Sequence, residues 1–186
     1  MKKAPTHVPA ILGYAASLEQ WAKPKQIDDV ILAYTNVTQI AMKRGNTDLA
    51  EASLRKSLSL LEKIDDKKKL STLRHISNFC FKYDLAAETY YLMGIELVER
   101  DHQFEAFEAF YIANGLTLQG SENNMTHPKS LLELGKIKLL TENNVPEAMQ
   151  FFDTLLNSEG LESELIVHAL VLSGDAKKVC LHHVKK

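Results

Sequence analysis

Two groups of side chains in this sequence are of the types that do chemistry. Cys180, His182 and His183 form a C-x-H-H cluster that His168 could join if the last helices pair, and thiolate and imidazole are the ligands zinc prefers. Adjacent histidines point in different directions on a helix, the spacing matches no common zinc site and a fourth ligand is not evident, so no metal is expected there. Lys67, Lys68 and Lys69, with Arg74 and His75, form a basic run that could meet an acidic partner or a phosphate. No aromatic residues interleave with these cations, which argues against nucleic acid. Cys80, between Phe79 and Phe81, reads as a small core residue rather than a nucleophile. Glu105 with Glu108, and Glu96 with Arg100, share helix faces at spacings typical of solvated surfaces. No Gly-rich phosphate loop, G-x-S-x-G, H-E-x-x-H or paired Cys-x-x-Cys occurs. The chain is therefore expected to have no catalytic residues, metal or cofactor and not to be an enzyme. The alternative is an enzyme with a dispersed active site on a helical scaffold.

The elements around these residues are helical from end to end, with no alternating strand pattern. At 186 residues the chain suits a single domain, 1–186, able to bury a core without disulfides. Its formal charge of −2 gives no global reason to expect nucleic acid or an acidic membrane surface. Two distant cysteines, Cys80 and Cys180, do not make a disulfide framework and favour a reducing, cytoplasmic setting. No apolar run approaches the roughly 18 residues a membrane-spanning helix needs. The start, Met1-Lys2-Lys3 and then Val8 to Ala16, has a faint secretory outline, but His7 and Pro9 break it and Glu19-Gln20 follow at once. The sequons at Asn36 and Asn124 arise often by chance.

Periodicity predicts an N-terminal capping segment, 1–25, with a short helix near 7–22. Ile27 to Ala41 form an apolar stripe stopped by Arg44-Gly45-Asn46. Further helices follow over 48–61, 70–80 and 84–100, then one after the Asp101-His102 turn that carries Ala106, Phe110 and Ala113, and a polar loop from Gln119 to His127. Pro128 and Pro146 each suit a helix start. A last pair, 161–172 and 176–184, is expected to be separated by Ser173-Gly174-Asp175. The tally is nine or ten helices.

The most regular stretch is 90–113. Tyr90, Met93, Gly94 and Leu97 share one face of a helix, Asp101-His102 makes a turn, and Ala106, Phe110 and Ala113 share one face of the next. Gly94 and Ala106 permit close approach while Tyr90, Leu97 and Phe110 fill the space around it. This pattern of large, large, small, large and then small, aromatic, small resembles the tetratricopeptide (TPR) repeat. Gly45, Ala50, Leu54 and Ser57 are similar to its second-helix form, with Thr38 where the small residue would stand. Tyr83 to Tyr91 can also be read as the start of a second helix, which would exchange the concave and convex faces.

The resemblance implies an all-α, TPR-like α-solenoid of antiparallel helical hairpins over 26–186 with capping helices. It implies a protein-interaction module, an adaptor, assembly subunit or chaperone-like binder, holding a partner helix or extended segment. The small TPR chaperones of bacterial secretion systems are one compatible type. In the chaperone-binding branch of the family, Lys, Asn and Arg clamp a carboxylate. Asn36 stands at one such place here, but Tyr91, Leu92 and Ile95 occupy others, so an apolar or mixed groove is expected instead. The candidate partner-binding residues are Asn36, Tyr83, Tyr91, Lys67 and Lys68. The expected partners are proteins, with no nucleic acid and no membrane insertion.

Overall fold

A computed structural model describes residues 8–23, 26–120 and 126–184, except the side chains of residue 8 and of residues 179–184. Among the described residues there is no strand, and nine α-helices follow one another. None of these helices is long and apolar enough to cross a membrane.

The chain forms two compact units, Met1–Phe81 and Lys82–Lys186. In the first, α1 (Val8–Trp21) packs on α2 (Ile27–Lys43), and α2 pairs with α3 (Thr47–Ser59). A single 3-10 turn, Leu61–Lys63, then leads to α4 (Asp66–Ser77), which touches α3. In the second unit, α5 (Tyr83–Glu99) pairs with α6 (Gln103–Thr117), α7 (Thr126–Leu140) pairs with α8 (Val145–Leu156), and α9 (Ser163–Val184) closes on α8. Within that unit α7 also lies against α5, α6 and α9.

Three of these pairs, α2/α3, α5/α6 and α7/α8, are hairpins with the same local wiring. Each turn contains one residue in the left-handed region: Gly45 (φ +71°), Asp101 (φ +61°) and Asn143 (φ +51°). In the first two, the next N–H reaches back five residues, Asn46 to the Ala41 carbonyl at 3.0 Å and His102 to the Leu97 carbonyl at 2.9 Å. That is the closure that satisfies the last carbonyls of a helix ended by a left-handed residue. The second helix then opens on Asn46, His102 or Asn144. The Asn46 and Asn144 side chains accept from the N–H three residues on, at 3.1 and 3.3 Å. In all three hairpins the N–H of an alanine, Ala50, Ala106 or Ala148, donates to the carbonyl of that opening residue.

The packing repeats with the wiring. Nine residues after each left-handed position stands a fully buried large side chain, Leu54, Phe110 or Phe152, and twelve after it stands buried Ser57, Ala113 or Leu155. Opposite the ring the first helix offers Gly94 in α5/α6 and Gly135 in α7/α8, and in α2/α3 buried Thr38 stands seven residues before its left-handed position as Gly94 does before Asp101. A Cβ on Gly94 would lie 2.5 Å from Phe110 Cε1, and one on Gly135 would meet Phe152 Cε1 at least as closely. The ring edges therefore occupy the volume of the missing side chains, and the helices meet there more closely than alanine permits. Of the positions expected from sequence to pack this hairpin, Gly94 meets the Phe110 ring and Ala106, Leu97 and Ala113 are buried, whereas Tyr90 is only partly buried.

One expected break is absent. Ser173-Gly174-Asp175 do not separate two helices, because α9 runs unbroken from Ser163 to Val184. Ala169, Ser173 and Ala176 all face inward, so one continuous face packs on the unit and carries the helix through Gly174. The side chains of Cys180, His182 and His183, the residues 1–7 and Asn124 lie outside the described residues.

Candidate partner-binding groove on the first unit

Ile11 and Ala15 turn the inner face of α1 toward α2, and the side adjoining that face carries Tyr14 and Trp21, seven residues apart along the helix. These two aromatics are 60% and 78% exposed, unusual for side chains of their size in a packed unit. Between α1 and α2 runs an open groove of about 820 Å³, walled by Ile11, Tyr14 and Leu18 on one side and by Leu32, Asn36 and Ile40 on the other. A second hollow of about 320 Å³ continues it past Tyr14 and Leu18 to Trp21. Gln26, Asp29 and Gln39 add polar groups to the larger groove, and among the described residues Asp29 is the single ionised side chain on its walls.

A polar tie holds α1 in place. Tyr34 of α2 donates its hydroxyl to Glu19 Oε2 at 2.9 Å, and Lys56 of α3 meets Glu19 Oε1 at 2.7 Å. Burial by itself raises the Glu19 pKa, but the hydrogen bonds from Lys56 and Tyr34 and the positive charges of Lys56 and Lys63 outweigh it and hold the carboxyl below its usual range. Burial, and then the Glu19 carboxylate, push the Tyr34 hydroxyl up to about 12. Because the Glu19 pKa is depressed in the folded chain, its contribution is complete above the ordinary value of 4.5 and is lost as pH falls through the lower folded value. Glu19→Gln is therefore expected to cost about 1 kcal/mol or less, since the Lys56 side chain is 42% exposed and water screens the pair. The loss should be visible at neutral pH in urea titrations and should shrink as pH falls below the ordinary value of 4.5; a loss that stays constant as the pH is lowered would exclude this account.

The residues expected from sequence to contact a partner fall on several elements, three of them in the first unit and two in the second. Asn36 lines the groove, exposed on α2. Lys67 and Lys68 lie on α4, where the Lys67 N–H is capped by Asp65 Oδ1 at 2.9 Å and the Lys68 ammonium pairs with Asp28. Tyr83 is exposed at the start of α5, in the second unit. Tyr91, also in that unit, sets its ring 5.6 Å from that of Phe110, and burial and then the Glu133 charge push its hydroxyl up to about 12. That environment makes Tyr91 a packing residue of its own hairpin as much as a contact surface. Tyr14, Trp21 and Asp29 were not anticipated, although the seven-residue spacing of the two aromatics was available in the sequence. No protein-family model and no curated protein matches this chain.

Proposed function

We propose that the chain is a protein-interaction module and that the α1/α2 groove takes a helix or extended segment of a partner protein. The observation carrying this reading is the pair of exposed aromatics, Tyr14 and Trp21, along a groove whose other described wall residues are aliphatic side chains, amides and the single carboxylate of Asp29. Large rigid aromatics at the edge of an apolar trough are the residues that carry most binding energy at protein interfaces, whereas scattered exposed leucines are not. Asn36 and Gln39 would pair with the backbone of the bound segment, and Asp29 would select a basic residue in it. The recurring hairpins support the TPR-like character of the helical scaffold. An adaptor, an assembly subunit and a chaperone-like binder all use such a trough.

The test is affinity capture with the tagged chain at near-native abundance, run beside a Tyr14→Ala/Trp21→Ala variant. A stoichiometric partner protein is expected, bound at least about tenfold more weakly by the variant, whose melting temperature should not change because both side chains are solvent-exposed. A partner held equally by both forms would exclude the groove, and a chain recovered repeatedly alone would exclude the interaction reading.

A further inference from the structure

The second unit carries another unpartnered face, on α6. Phe104, Phe107, Tyr111 and Leu118 fall at intervals of three, four and seven residues, a seam about 21 Å long on one side of the helix. Phe104 and Leu118 are 73% exposed and Tyr111 is 60% exposed. The inner face of the same helix is complete without them, since Ala106, Ala109, Phe110 and Ala113 are buried. Within the seam, on the side between Tyr111 and Leu118, stands Gly115, where an added Cβ would meet nothing within 4 Å. A glycine inside a helix weakens it relative to alanine. The unit's own packing gives no reason for one at this point, but a second backbone crossing closely over the notch would.

Charge surrounds the seam unevenly. Glu105 and Glu108 follow one edge, and no described residue other than His102, 3.6 Å from Glu105, approaches these two carboxylates as an ion-pair partner. At the other edge Phe107 stacks on Tyr111 and meets the ring of Phe151, with Lys138 Nζ 4.4 Å above its centroid. That ammonium is already held by Glu142 at 2.8 Å and Glu147 at 3.3 Å. Among the described residues, two carboxylates thus follow one edge of the seam, while the ammonium over Phe107 at the other is already matched by two more.

We propose that the α6 seam docks a helix of a partner protein that carries aliphatic side chains at alternating three- and four-residue spacing, flanked by lysine or arginine. The seam supplies Phe104, Tyr111 and Leu118 as anchors, the Gly115 notch admits the partner backbone, and the bordering carboxylates select the flanking cations. Self-association through antiparallel α6 helices is the poorer match. A two-fold axis at Tyr111 sets Phe104 against the second copy's Leu118, but it opposes Glu108 with Asn114 and Glu105 with Thr117, which leaves the acids without cations.

Two synthetic helical peptides of about 20 residues test this, both with leucines in the heptad seam and with either lysine or glutamate at the flanking positions. In fluorescence anisotropy against the full chain, the lysine peptide should bind at least about tenfold more tightly, and the margin should shrink with added salt. Tyr111→Glu should weaken its binding about tenfold or more without changing the thermal melt, and Glu105→Lys/Glu108→Lys should remove the preference for lysine. The Tyr14→Ala/Trp21→Ala variant should bind the peptide normally, which separates this face from the α1/α2 groove. The proposal is overturned by the absence of saturable binding, by equal binding of the two peptides, or by binding that survives Tyr111→Glu or is lost in the groove variant. It is equally overturned if sedimentation finds a dimer that Tyr111→Glu converts to monomer, because a second copy then owns the seam.

Discussion

Gly135→Ala is expected to lower stability by about 2 kcal/mol, although alanine is the better helix former by about 1 kcal/mol. The new Cβ would enter the space of the Phe152 ring, a fully buried side chain fixed by the core between α7, α8 and α9. Neither neighbour can yield cheaply. The aromatic ring is rigid, and Ala148, Leu155 and Ala169 close the volume into which it would swing. Overpacking of this kind costs about 1–3 kcal/mol, more than the helix propensity gained. Gly94→Ala faces the Phe110 ring in the same way, and Gly94→Leu or Ala106→Leu should be worse still. Phe152→Leu removes the ring edge, so Gly135→Ala/Phe152→Leu should be more stable than the sum of the two single changes predicts, by about 1 kcal/mol or more. Urea denaturation followed by circular dichroism measures all four corners of this cycle. Strict additivity would mean that ring and glycine are not in contact. Gly115→Ala provides the opposite sign in the same assay, a gain of about 0.5–1 kcal/mol, because its Cβ has open space and only the helix propensity changes.

That contrast also explains what was legible in the sequence. Gly94, Ala106 and Phe110 stand at the family's usual separations, so the α5/α6 hairpin was readable from spacing alone. Gly135 meets Phe152 in the same way, yet although both helices and their turn were readable, this pairing was not, because the first helix continues one residue longer before the turn. Gly135 lies eight residues before Asn143, whereas Gly94 lies seven before Asp101. The extra residue appears in the backbone as well: both Thr141 and Glu142 donate to the Ile137 carbonyl, and Asn144 reaches back six residues to Lys138. A fixed template aligns either the glycine or the phenylalanine, never both. Counting from the turn outward aligns all the second-helix positions. The Ser173-Gly174-Asp175 break was misread for the converse reason, since residues that favour turns locally were overridden by an inward face shared across Ala169, Ser173 and Ala176. The exposed faces were harder to see. Tyr14 and Trp21 have the composition of core residues, and only the tertiary packing of Ile11 and Ala15 decides which side of α1 is left outside.

If the three hairpins share one device, its parts should be interchangeable. In α2/α3 the device takes another form, in which buried Thr38 holds the place in the first helix that Gly94 holds in α5, and its hydroxyl bonds the Tyr34 carbonyl at 3.1 Å and the Ala50 carbonyl at 3.4 Å. Leu54→Phe should therefore cost about 1–3 kcal/mol, because the larger ring meets a β-branched side chain where Phe110 and Phe152 meet glycine. Thr38→Gly should cost a similar amount by emptying the contact, removing a tie between the two helices and loosening α2. Together, Thr38→Gly/Leu54→Phe recreates the glycine and phenylalanine pair of the other two hairpins. The double variant should be at least about 1 kcal/mol more stable than the two single costs added, with α2 and α3 keeping their turn at Gly45. Thermal and urea melts of the four proteins measure this coupling. A positive coupling makes Thr38 and Leu54 the counterparts of Gly94 and Phe110 in energy as well as position, whereas costs that simply add would mean that the wiring of the turns recurs without the packing it was expected to serve.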